Sequence, residues 1–318
     1  MTRTGPSFTR GGQRSSLCFL SGVVSIVLSA CPAHSHRASQ DQLWKEFSGE
    51  KAFVHVQRLV ELGPRPPGSE AIEKSRTYID NQLRLAGWQV ARQAFSGDTP
   101  RGKVSFVNLI ARFGKPIPKV EPGSLFLLCS HYDTKIFRAF RFVGANDGGS
   151  SNGVLLEMAR VLAKHSELGA KVELVFFDGE EAFESFSETD GIYGSRYFAK
   201  QLSAAKESKQ FRGGILFDMI GDRSLKVTLP PDSPTKLARE IFSSAEALKL
   251  RNYFTYFDRD ITDDHTPLNA VGIPTVDLID FRFSYWHTAD DTIDKISADS
   301  LQKVGMVAAY FLSEFAFK

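Results

Sequence analysis

Short apolar runs at 88–95, 104–113, 124–130, 171–177, 214–219 and 275–279 alternate with stretches whose apolar residues recur at helical spacing. That alternation narrows the possible folds more than any other feature of the chain. The runs 125–128 and 174–177 are apolar throughout. Such strands have no face to give to water, so they belong at the centre of a sheet covered on both sides. Helices are expected at 40–61, at 70–85 with Ser69 as N-cap and Gly87 after its end, and at 153–164, 195–206, 233–248 and 297–315. No linker divides 41–318 and no internal repeat is visible. The expectation is one α/β domain over 41–318: a mixed, mostly parallel, twisted sheet with helices on both faces.

Composition agrees with a packed soluble domain. Of 318 residues, 42% are hydrophobic and 24% charged, which excludes a disordered chain or a collagen-like fibre. Three cysteines exclude a disulfide scaffold. With 39 basic and 37 acidic residues, no nucleic-acid partner is expected. The first thirty residues stand apart. Arg3, Arg10 and Arg14 precede an apolar run at 17–30, shorter than the roughly 20 residues a membrane span needs. This reads as a signal peptide over 1–30. Its end, Leu28-Ser29-Ala30-Cys31, resembles the lipobox of bacterial lipoproteins, in which the cysteine is acylated; the small residues equally suit an ordinary signal peptidase. The chain is thus expected to be exported, to the bacterial cell envelope through a lipid on Cys31, or to the periplasm or medium. Residues 31–40, with His34 and His36, read as a solvated tail, and Cys129 as a core thiol.

The polar residues collect where apolar runs stop. The run ending at Ser130 leads into His131-Tyr132-Asp133, that ending at Phe177 into Asp178-Gly179-Glu180-Glu181, and that ending at Phe217 into Asp218. Gly144-Ala145-Asn146-Asp147-Gly148-Gly149 lies just ahead of a helix, and Asp263-Asp264-His265 and Trp286-His287-Thr288 come later. In an open α/β sheet this is the edge where ligands bind. So many carboxylates cannot share a pocket without a cation, since like charges at close range drive protons back on. Zinc, which accepts mixed oxygen and nitrogen donors, fits, and His-x-Asp fits a carboxylate orienting a ligating imidazole. Singly, each piece reads as a cap, a turn or a surface group; their common placement at strand ends is the signal. If Glu180 and Glu181 lie on extended backbone they point to opposite sides, one towards a metal and one towards substrate. Gly149-Ser150-Ser151-Asn152-Gly153 matches the nucleophile elbow of serine hydrolases but lacks the strand that must precede it.

The ordered set His131-Tyr132-Asp133, Gly144 to Asp147, Phe176 to Phe183, Tyr193 to Arg196, Asp218, Asp263 to His265 and Trp286 to Thr288, with Leu62 to Ser69 near the start, resembles the zinc-dependent aminopeptidase superfamily. It is most similar to its glutaminyl-peptide cyclotransferase branch. The resemblance covers essentially 41–318. It implies one Zn2+ per chain on Asp147, Glu181 and His287, with Glu180 shuttling a proton. It further implies that Asp218 and Asp263 form a hydrogen-bonded acidic network beside Glu180, and that Trp286 forms part of an apolar wall. The implied substrates are peptide or protein N-termini: the α-amine of an N-terminal glutamine attacks its own γ-amide, giving pyroglutamate and ammonia. A monomer is expected.

This chain departs from the branch in two places. Phe186 stands where animal members have a tryptophan, and Asn152 stands where a disulfide partner for Cys129 is expected. The segment Gly144 to Gly149 also resembles the hydrolytic aminopeptidases, in which His131 and Asp218 would join Asp147, Glu181 and His287 to hold two zinc ions. Glu180 would then activate water. A metal-free binding ectodomain is the third reading, opposed by the completeness of the donor set. His55 and His165 are expected at the surface, and His265 either supports the Asp263 loop or lines the pocket.

Overall fold

The computed structural model describes residues 43–114 and 120–318. The leader 1–30, Cys31 and the tail 31–40 lie outside the described residues. Four of the apolar runs become β3 (Leu125–His131), β4 (Val172–Phe177), β5 (Phe211–Asp218) and β8 (Thr275–Ile279). They lie parallel, with β3 between β4 and β5, and β8 beyond β5. The two earlier runs form a long hairpin, β1 (Trp88–Thr99) and β2 (Gly102–Phe113), whose second strand pairs antiparallel with β4. Two strands were not expected: β6 (Val227–Leu229) and β7 (Phe254–Tyr256) complete one eight-stranded sheet of order β1-β2-β4-β3-β5-β8-β6-β7. Three residues carry too little periodicity to reveal a strand. Neighbours fix β6 instead, Thr228 pairing with Ile279 and donating its hydroxyl to the Ile279 carbonyl at 2.7 Å.

The uniformly apolar runs cover both faces by strict alternation. Phe126, Leu128, Leu174, Phe176, Ile215 and Phe217 enter the larger core; Leu125, Leu127, Cys129, Val175, Phe177 and Leu216 enter the smaller one opposite. Over the larger core lie α1 (Gly49–Glu61), α2 (Glu70–Leu85), α3 (Ser151–Lys164), α5 (Thr235–Ala247) and α7 (Ala298–Glu314). Over the smaller lie α4 (Tyr193–Ala205) and the short α6 (His265–Ala270). The helix expected at 40–61 is interrupted: Leu43–Glu46 is a separate turn, and Ser48 caps α1 by accepting the Lys51 N–H. Cys129 is buried and free, as expected of a core thiol. Among the described residues no helix is long and apolar enough to cross a membrane.

One topological fact positions the site. After β3 the chain crosses to β4 on one side, and β5 lies on the other. The sheet therefore changes direction at β3, opening a crevice beyond the carboxyl ends of these strands.

Candidate metal centre

Each strand that ends at this crevice delivers a donor. His131 is the last residue of β3 and Asp218 the last of β5. Glu180 and Glu181 lie just past β4, and His287 in the segment after β8. Asp147 sits in a kinked turn, 145–150, ahead of α3. That turn needs glycine at 148, where φ is +72° and a Cβ would lie 2.8 Å from the Asp133 carbonyl oxygen and 3.0 Å from the His131 ring. His287 itself has φ +56°, a left-handed conformation rare for a side-chain-bearing residue.

The structure brings Asp147, Glu181 and His287 together. His287 Nε2 lies 3.4 Å from Asp147 Oδ2 and 3.3 Å from Glu181 Oε2. Neither of those oxygens has a hydrogen-bond partner, although both are buried. Tetrahedral zinc with bonds of about 2.0–2.2 Å spaces its donors roughly 3.3–3.5 Å apart. Two of the three edges have that spacing and all three donor atoms lie within 4.8 Å of one another, with Lys135 Nζ 3.6 Å from Glu181 Oε2, so the group fits a zinc ion. Asp147 turns its other oxygen towards His131, Oδ1 to Nε2 being 3.3 Å, and the same His131 nitrogen is 3.3 Å from Asp218 Oδ1. The arrangement therefore has a second, adjoining donor group that shares Asp147.

The electrostatics follow from burial and neighbours. Burial opposes ionisation of Asp147, but His131 and His287 outweigh it and hold the carboxyl below its usual range. Burial also opposes the charge on His287, yet Asp147 and Glu181 raise its imidazole to about 9. Glu181 is pushed up by burial and by the Asp147 charge. Glu180 is pushed up much further, first by burial, with His131 opposing and Asp263 and Glu181 adding. Asp218 is raised by burial despite His131, and Asp263 by burial and then by Asp218 and Asp264. Asp218 faces His131, its Oδ1 lying 3.3 Å from Nε2, and Asp263 accepts the Asp264 N–H at 2.5 Å; a hydrogen bond between two carboxyl groups needs a proton shared between them.

These residues floor a pocket of about 300 Å³ walled by Phe186, Phe257, Phe281 and Trp286. Trp286 is 40% and Phe186 42% exposed, so both stand at the mouth. The Trp286 indole stacks on His287 at 4.2 Å between ring centres.

The sequence reading gave no site role to two groups that position the donors, and placed a third only in outline. The buried Asp133 carboxylate accepts the N–H of Glu180 (3.1 Å) and of Glu181 (3.3 Å). It also lies 3.4 Å from His131 Nδ1. Asp133, rather than extended backbone, therefore sets the two glutamates: they lie in the loop beyond β4, and Gly179 before them has φ +70°. His-x-Asp spacing was the available signal. Asp291 accepts the N–H of Asn146 (2.7 Å) and of Asp147 (3.1 Å), four residues after His287. Arg65, fully buried, donates to the carbonyls of Tyr132, Val143 and Gly144 and so ties the end of β3 to the Asp147 turn. Burial lowers its guanidinium to about 10, against the pull of Asp291, Asp133 and Asp147. No local pattern announces a buried arginine whose acceptors come from distant carbonyls.

The remaining candidates fall elsewhere. Ser151 is buried and accepts the Ser130 hydroxyl at 2.8 Å, with no imidazole beside it, so the nucleophile-elbow match carries no triad. Asn152 donates to the His131 and Gly148 carbonyls, tying β3 to the Asp147 turn. His55 and His165 are not free surface groups: His55 Nδ1 lies 2.7 Å from the Tyr78 hydroxyl, and His165 Nε2 2.7 Å from Glu46 Oε1. His265 is buried beside Asp263 and Asp277 and is not among the residues that line the pocket.

Residues 108–312 match the model of peptidase family M28. The glutaminyl-peptide cyclotransferase of Bothrops jararaca is 33% identical over 293 residues, covering 77% of this chain and 76% of its own. An Acidobacteriales bacterium glutaminyl cyclase superposes with a TM-score of 0.76 at 33% identity, over 84% of this chain and 94% of that one. A zinc-dependent exopeptidase from Parabacteroides distasonis superposes with a TM-score of 0.75 at 25% identity, over 85% and 99%. Strand order, the donor set at the sheet switch point and these likenesses agree: the chain belongs to peptidase family M28, within its glutaminyl-peptide cyclotransferase branch.

Proposed function

We propose that the chain is a glutaminyl-peptide cyclotransferase, converting N-terminal glutamine of peptides and proteins to pyroglutamate with release of ammonia. The observation that carries this reading is a buried Glu180, its proton affinity raised by burial and by Asp263 and Glu181 against the pull of His131, beside the three-donor group on the floor of a small aromatic-walled pocket. A volume of about 300 Å³ is at the small end of ligand sites, suited to one residue with the rest of the peptide outside. Asp147, Glu181 and His287 would hold zinc, which when bound supplies Lewis-acid polarisation of the γ-amide carbonyl. Glu180 takes a proton from the attacking α-amine as the new C–N bond forms. It returns that proton to the amide nitrogen, which leaves as ammonia when the old C–N bond breaks. Asp263 keeps the Glu180 proton affinity high by adding negative charge beside it, and Asp218 in turn raises that of Asp263. Trp286 and Phe186 flank the substrate side chain and exclude water, so closure of a five-membered ring needs little beyond orientation.

A two-metal aminopeptidase is the second reading, and the His131–Asp147–Asp218 group favours it. Against it, the two cyclotransferase relatives reported above are 33% identical to this chain and the exopeptidase 25%. Two substrates separate the readings. A glutamine-initiated peptide is expected to lose the mass of ammonia, with a leucine-initiated chromogenic amide left intact; liberated leucine with two zinc ions per chain would overturn the proposal. We further propose export, with a lipid on Cys31, checked by the mass of the mature N-terminus.

A further inference from the structure

Beyond the donor groups already described, one cluster stands on the other side of Asp263. Val276 and Leu278 of β8 point into the larger core, so Asp277 between them points to the opposite face of the sheet. There it meets His265, the first residue of α6, and Asp263 from the segment before it. One donor atom from each of the three lies within 4.8 Å of the others. His265 Nδ1 is 3.7 Å from Asp277 Oδ2. All three residues are at most 3% exposed. Both oxygens of Asp277, Oδ2 of Asp263 and Nδ1 of His265 have no hydrogen-bond partner. Buried polar atoms are nearly always paired, so four orphans on three residues whose donor atoms come within 4.8 Å need an explanation.

We propose that Asp263, His265 and Asp277 form a further metal site, taking a divalent ion of the zinc class, distinct from the group of Asp147, Glu181 and His287. Two carboxylates and an imidazole balance a divalent charge and match zinc, cobalt or nickel better than calcium or magnesium, which prefer oxygen donors alone. Donor atoms need close by only a few tenths of an ångström at the His265–Asp277 edge to reach the spacing of about 3.4 Å expected around zinc. Asp263 also lines the pocket, which gives the ion a way in. This site does not use His131 or Asp218, the additional donors of a two-metal aminopeptidase. Because Asp263 belongs to the acid group of the proposed reaction, filling the site is expected to slow turnover. That consequence rests on the cyclotransferase reading; the binding itself does not.

Equilibrium dialysis of the whole protein against rising zinc, with metal counted by mass spectrometry, tests the site. The expected result is an ion beyond those bound at low zinc, lost in both His265→Gln and Asp277→Asn while the tighter-bound zinc stays. Should no such ion bind, or should it persist in both variants, the proposal is overturned. Zinc-edge anomalous scattering from zinc-soaked crystals of the unaltered protein tests the site without a variant: an ion between these three side chains supports it, and an empty position there overturns it.

Discussion

Replacing Asp133 by Asn tests whether one buried carboxylate sets both glutamates. Its two oxygens accept the N–H groups of Glu180 and Glu181 at 3.1 and 3.3 Å. Asparagine keeps the shape but offers one acceptor, and turns an N–H donor towards the other backbone N–H. Each hydrogen bond to a charged group is worth about 1.5–3 kcal/mol, and a buried donor left unmatched costs roughly 1–3 kcal/mol. The Glu180–Glu181 segment is then expected to turn away from its present position, taking the proposed zinc donor and the proposed proton carrier with it. Losses of this kind lower metal affinity or activity by roughly 10- to 100-fold. Chelator competition measures zinc affinity, steady-state ammonia release measures turnover, and circular dichroism checks the fold. If folded Asp133→Asn retains zinc affinity and turnover within about twofold of the parent, well short of that range, the positioning argument is refuted.

Glu180→Gln is expected to keep zinc while turnover falls by about 10²–10⁴, the usual worth of a general acid–base; loss of zinc would show that the two glutamates have been assigned in reverse. Gly179→Ala should lower the melting temperature and disturb the site, because φ is +70° and the added Cβ would lie 2.5 Å from Phe106 Cε1. An unchanged melting temperature would count against that local geometry. In the metal-free protein His287 holds its proton up to about 9, and zinc needs the neutral ring. Acidification below that pH should therefore weaken zinc binding by about tenfold per unit, with proton release on binding near neutrality. Calorimetry in buffers of different ionisation enthalpy reads this release, and a buffer-independent enthalpy would contradict it.

The sheet was legible because its central strands are long enough to carry a pattern. Leu125 to Leu128 and Leu174 to Phe177 could only be covered on both faces, and the structure divides their residues alternately between two cores. Val227–Leu229 and Phe254–Tyr256 were not legible, since three residues have no period and their pairing comes from Ile279 and from each other. The donors were legible as residue types at strand ends. Their common focus was not, because residues over a hundred positions apart meet only when the sheet is assembled: the Asp291 carboxylate that holds the Asp147 N–H lies 144 residues along the chain.

By itself, the sequence determined which side chains can carry charge, hold a metal or turn the backbone, and where apolar runs must be buried, since these depend on residue type and local spacing. Only the tertiary structure decided that Asp133, and not the strand pleat, sets Glu180 and Glu181, and that Arg65 ties three distant carbonyls beneath Asp147. It also decided that His265 and Asp277 share a buried cluster with Asp263. Hydrogen bonds and charge interactions act over a few ångströms in space, and separation along the chain leaves no trace of which groups will come within that reach.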